Sequence, residues 1–153
     1  MSVAISLHVL AAVIWVGGMF YAYMAMRPGV GHAVEPPRRP VLWCHTLSRF
    51  FRWVWLSILV LLGTGYWMVF KVFGGMQGIG LHVHLMQGLG IVMMLIFAHV
   101  YFAPFRRLKR AVEGNDNEAG SRSVAQIRVL VGTNLILGIA VVLIAAGGRY
   151  AGW

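Results

Sequence analysis

Four long apolar stretches alternate with short polar or glycine-rich connections, and they predict spans near residues 3–26, 54–73, 81–103 and 129–148. Each approaches the ~20 residues needed to cross a hydrocarbon core ~30 Å thick. Over such lengths only a helix satisfies its own backbone polar groups. The pattern therefore predicts an all-α integral membrane four-helix bundle, with residues 1–153 as one transmembrane domain. The first stretch lacks a basic leader and is too long for the apolar core of a signal peptide, so it reads as a retained anchor.

The connections differ in kind. Residues 27–40 hold Pro28, Gly29, Gly31, Pro36, Pro37 and Pro40 and read as an irregular loop. Residues 41–53 mix Val41, Leu42, Trp43, Leu47, Phe50, Phe51 and Trp53 with Arg49 and Arg52, as an interfacial lead-in to the second span would. Gly74, Gly75, Gly78 and Gly80 predict a short turn, and Gly114-Asn115-Asp116-Asn117 marks a polar loop over residues 111–123. A short repeat is also visible: Leu7-His8-Val9 opens the first span, Leu81-His82-Val83 opens the third, and both spans close near a proline, Pro28 and Pro104. It suggests two helical hairpins packed side by side.

Composition agrees with this class, hydrophobic residues making up 59% of the chain and charged ones 11%. The distribution of charge adds an orientation. Of thirteen Lys and Arg residues, eleven fall in or near the first and third connections, and only Lys71 and Arg149 lie elsewhere. The positive-inside rule then places those connections in the cytoplasm and both termini on the periplasmic side of a bacterial inner membrane. The net charge of +9 reads as topology and contact with anionic lipid, not as nucleic-acid binding.

Histidines carry the candidate chemistry. His8, His82 and His84 lie just inside the first and third spans at the same expected end. An imidazole in hydrocarbon is costly without a partner, so such residues are functional-site candidates. On a helical wheel His8 shares a face with Ala11, Ala12 and Trp15, and His84 shares one with Gly88, which leaves room for a flat macrocycle or for close helix packing. His8 and His84 are expected at similar depth, as an axial pair for one iron. His82, about 200° from His84 around the helix, would be a substitute ligand or a hydrogen-bonding neighbour. Trp15 and Gly88 would line the macrocycle, and Lys71 and Arg149 would meet its propionates. His99 lies roughly 22 Å further along the helix than His84 and is a candidate, with His45, for a second metal or haem. His32 falls in the Pro-rich segment and reads as solvated.

Absences narrow the chemistry further. Glu35, Glu113, Asp116 and Glu118 are the only carboxylates, and all fall in the two basic connections. The spans thus offer no hydrolytic pair, no orienting acid for a nucleophilic triad and no hard-cation cage. Imidazole and thioether remain, which suit haem iron or copper. The nine methionines are scattered along the spans as gap-filling residues would be. Cys44 is the only cysteine, so a haem would be held without covalent attachment.

Leu7-His8 followed by Trp15-Val16-Gly17-Gly18-Met19-Phe20 resembles the first helix of the CopD and HemJ-type membrane proteins. Leu81-His82-Val83-His84-Leu85 is similar to the Leu-His-x-Lys-Leu signature of HemJ-type protoporphyrinogen oxidases, and Asn134 stands in the last span as an asparagine does there. The resemblance implies a four-helix membrane protein that binds b-type haem or serves copper resistance. His84 replaces the lysine of the signature, so the porphyrinogen oxidase reaction is not carried over. The leading expectation is a haem b protein of the inner membrane, with one haem and room for a second, an electron-transfer or oxidoreductase role and a quinol-like or porphyrin-like partner. The alternative is a copper-handling protein of the CopD type using His8, His82, His84 and nearby methionines. A homo-oligomer is left open.

Overall fold

A computed structural model of the protein describes residues 2–72, 74, 75, 77 and 80–148. The helices are α1 (Ser2–Tyr21), α2 (Arg27–Ala33), α3 (Arg39–Lys71), α4 (Leu81–Phe102), α5 (Pro104–Glu113) and α6 (Asn117–Gly147). A π-helical stretch, Ala22–Met26, joins α1 to α2, and a 3₁₀ turn, Pro36–Arg38, leads into α3. Four continuous helical segments are long and apolar enough to cross a membrane: Ser2–Ala33, Pro36–Lys71, Leu81–Glu113 and Asn117–Gly147. The chain is a multi-pass, all-α membrane protein.

Its prolines do less damage than the sequence suggests. The expected irregular loop at residues 27–40 is mostly helical, the chain leaving helix only around Val34 and Glu35. Pro28 has no N–H to bond the carbonyl four residues back, and its ring would crowd that carbonyl. The turn before it widens instead: Arg27 N–H bonds Ala22 O, five residues back. Pro36, Pro40 and Pro104 each stand in the first turn of a helical element, where a missing donor costs nothing. The interfacial lead-in at residues 41–53 is simply the first half of α3. The polar loop expected over residues 111–123 contracts to Gly114–Asp116, because Asp116 caps α6 by accepting from Ala119 N–H at 2.9 Å. Gly74 and Gly75 do form a turn, with φ of 72° and 117° that only glycine adopts freely.

Helices α1 and α3 form one hairpin and α4 and α6 the other, and the two hairpins pack against each other. The core between them is aromatic. Phe97 of α4 meets Trp15 (centroids 6.2 Å), Phe51 (5.2 Å) and Trp55 (5.2 Å) edge-on, and Phe51 also meets Phe105 of α5 at 4.8 Å. Such edge contacts add to the area these rings bury. Helix α5 lays Phe105, Leu108 and Ala111 on this core and turns Arg106, Arg107, Lys109 and Arg110 outward. The arginine-rich ends of all four segments gather here, at the basic end; His8, His82 and His84 lie at the opposite end.

Gly138 fixes the register. A Cβ there would stand 2.9 Å from Val16 Cγ2 and 3.1 Å from Met93 Cε, so only glycine lets α6 approach α1 and α4 together. Asn134 ties the same region by donating from Nδ2 to Met93 O at 3.3 Å.

Candidate metal centre

Val16 and Met93 meet at Gly138 and so define a common level. His8 precedes Val16 by eight residues and His84 precedes Met93 by nine, so at ~1.5 Å per residue both lie ~12–14 Å above it. Similar depth was the premise for pairing them. Direction is another matter.

His8 is half-buried and turned toward α3, its own hairpin partner. Its Nδ1 lies 2.8 Å from Thr64 Oγ1, and its Cε1 would be 3.4 Å from a Cβ on Gly65. The Thr64 hydroxyl donates to Val60 O at 2.6 Å. With that hydrogen committed, Thr64 Oγ1 accepts, and His8 Nδ1 must carry the proton. The unprotonated nitrogen is then Nε2, whose lone pair is the one a metal takes. Fixing the tautomer through the far nitrogen is the usual way proteins prepare an imidazole ligand. Thr64 was not among the expected site residues. The Gly63-Thr64-Gly65 triplet inside an apolar run was its signal, a polar side chain flanked by residues that let a ring approach.

His82 likewise lies against the closing helix of its own hairpin. It packs toward α6, where a Cβ on Gly148 would come within 2.6 Å of its own Cβ. The short repeat that aligned His8 with His82 thus coincides with a structural likeness: each histidine lies against the closing helix of its hairpin. Met86 and Met93 follow at four and eleven residues, within about 40° of the His82 face, and Met93 Cε reaches Gly138 on the same α6. One face of α4 therefore carries an imidazole and two thioethers from the histidine end into the core.

The other expected residues scatter. His84 and Gly88 share the exposed outer face of α4, and no side chain lies within 4 Å of a Cβ built on Gly88. His45 and His99 are both exposed, Lys71 is exposed at the end of α3, and Arg149 falls outside the described residues. His32 bonds Pro28 O within α2 at 2.8 Å. Among the described residues no three of His, Cys, Asp and Glu converge on a metal position.

Trp15 is buried, but against Phe97 and not beside open space. Together with Met19, Phe51 and Asn134 these rings line a cavity of about 10 Å³, and the buried Asn134 Oδ1 has no hydrogen-bond partner among the described residues. The cavity has room for about one water molecule. The ring face of Trp15 that would line a macrocycle is taken by Phe97.

The fold and the donors define a class: a four-helix integral membrane protein whose spans offer imidazole and thioether groups and no carboxylate at the histidine end. The family of copper resistance protein D, CopD, matches residues 44–147. That is well over half of the chain, and the chain belongs to this family. No curated protein and no solved structure matches it.

Proposed function

We propose that the protein handles copper, taking the monovalent ion at its histidine end and passing it inward along α4. The observation that carries this reading is the Val60–Thr64–His8 relay, which leaves Nε2 of a half-buried imidazole as a ready neutral donor. Imidazole and thioether are soft or intermediate ligands, and they favour copper over the oxygen-seeking cations. The His82, Met86 and Met93 stripe supplies further such donors at decreasing distance from the core. Membership in the copper resistance family supports the same cargo. The two basic connections support an orientation in which the histidine end faces outward from a bacterial inner membrane, so that the path runs toward the cytoplasm. His84, on the outer face of α4, is placed to make a first, loose contact with the ion.

Copper absorption-edge spectroscopy on the reduced, copper-loaded protein tests this. The expected first shell contains nitrogen and sulfur, with nitrogen scattering reduced in His8→Ala and sulfur scattering reduced in Met86→Leu, a change that keeps volume while removing the thioether. A first shell unchanged in both variants contradicts the assignment. Sharp b-type absorption bands in the protein as isolated would instead favour a haem carrier with a quinol-like or porphyrin-like partner.

A further inference from the structure

A second cavity lies at the basic end, away from His8, His82 and His84. It is a half-open groove with a volume of about 310 Å³, lined by the π-helical stretch, α2, the start of α3 and the first half of α6. That is roughly ten times the ~30 Å³ share of one water in the liquid. Three arginines from three different segments line it: Arg27, Arg39 and Arg128. The antiparallel register that brings Val16 to Gly138 and Tyr23 to Gly132 also places Arg27 opposite Arg128 across the cavity.

No carboxylate lines this space. Glu118 forms an ion pair with Arg122 at 3.6 Å, and among the described residues no acid pairs with Arg27, Arg39 or Arg128. Arg27 lies over the Tyr23 ring, 5.2 Å from its centroid, which positions the guanidinium without neutralising it. Arg39 donates from Nε to Val34 O at 2.9 Å and from Nη2 to Gly31 O at 2.7 Å, so two of its donors lock the side chain in place. Three like charges thus line one groove, two of them, Arg27 and Arg39, positioned by neutral contacts. Mutual repulsion is the cost of that arrangement, and an anion removes it.

The wall is polar at one end and apolar at the other. Ser121 contributes a hydroxyl to the lining, while Leu47 and Val131 continue it toward the middle of the bundle. From Ser121 to Val131 the cavity follows α6 for ~15 Å. A free phosphate would use the arginines and leave the apolar part wet. A phospholipid fills both, its phosphate between Arg27 and Arg128 and its glycerol and first acyl carbons against Leu47 and Val131. Guanidinium groups suit phosphate oxygens because their donors match them in pairs. We infer that this cavity is a specific site for the phosphate headgroup of an anionic membrane lipid.

The test uses full-length protein purified in a neutral detergent, with retained lipid counted by native mass spectrometry. Short-chain phosphatidylglycerol, short-chain phosphatidylcholine and inorganic phosphate are the three probes. Wild type is expected to hold one phosphatidylglycerol in preference to phosphatidylcholine, without displacement by equimolar phosphate. Arg27→Gln and Arg128→Gln should each weaken that binding about tenfold, the scale expected for one charge-assisted contact. Arg128→Lys should recover part of it, which separates a lost charge from a damaged fold. Arg106→Gln, outside the cavity, should change nothing. Equal loss in Arg106→Gln would reduce the effect to general basic charge and overturn the site. Equal retention of phosphatidylcholine would make the contact purely apolar, and ready displacement by phosphate would assign the cavity to a soluble anion. Either result also overturns the lipid assignment.

Discussion

The two halves of the bundle are built to different standards of packing. Toward the basic end, Phe51, Val54, Val100, Phe105 and Leu108 are almost wholly inaccessible. Toward the histidine end Ala11 and Val69 are buried, but no residue of 81–92 in α4, of 59–68 in α3 or of 139–147 in α6 is. The same four helices therefore supply a rigid half, which sets register through Gly138 and Phe97, and a loosely filled half that carries the donor groups. A site that must accept and release an ion benefits from such division, because local opening there leaves the tightly packed half in place.

The contrast can be broken first at its strong side. Phe97→Ala removes the ring shared by Trp15, Phe51 and Trp55, and thermal unfolding of the solubilised protein should show a loss of about 3–5 kcal/mol. Gly138→Leu forces a side chain between Val16 and Met93, and the same assay should report about 1–3 kcal/mol. At the histidine end, Thr64→Val should leave the unfolding temperature nearly unchanged while lowering copper affinity about tenfold or more, as loss of an orienting partner does. A chelator competition titration reads that split directly. Leu143→Ala, on the exposed face of α6, should stay within about 0.5 kcal/mol of wild type. If Leu143→Ala proves as costly as Phe97→Ala, the open half is packed against something and the comparison fails.

Much of this architecture was legible in the chain. Apolar runs of membrane length fixed four spans, and the cluster of arginines marked which ends belong together. The Pro-rich segment misled because composition counts prolines, whereas a helix responds to their positions. Pro36, Pro40 and Pro104 sit in first turns, and a single π-helical stretch absorbs Pro28. The site was legible in part for a similar reason. A helical wheel gives the azimuth of His8 and His84 on their own helices but not which helix lies opposite. His8 turned out to face Thr64 of α3, and the His84 face, which includes Gly88, lies on the outside of the bundle. The three-residue repeat held the missing information, since it paired His8 with His82, and these are the two histidines set against their hairpin partners.

His8 is the proposed prepared copper ligand. An anaerobic titration of purified protein with monovalent copper against a colorimetric chelator measures this most directly, in wild type, His8→Ala and Thr64→Val. The account predicts tight binding by wild type, the largest loss in His8→Ala, an intermediate loss in Thr64→Val, and unchanged helicity in all three. Copper affinity that is the same in His8→Ala as in wild type would contradict it.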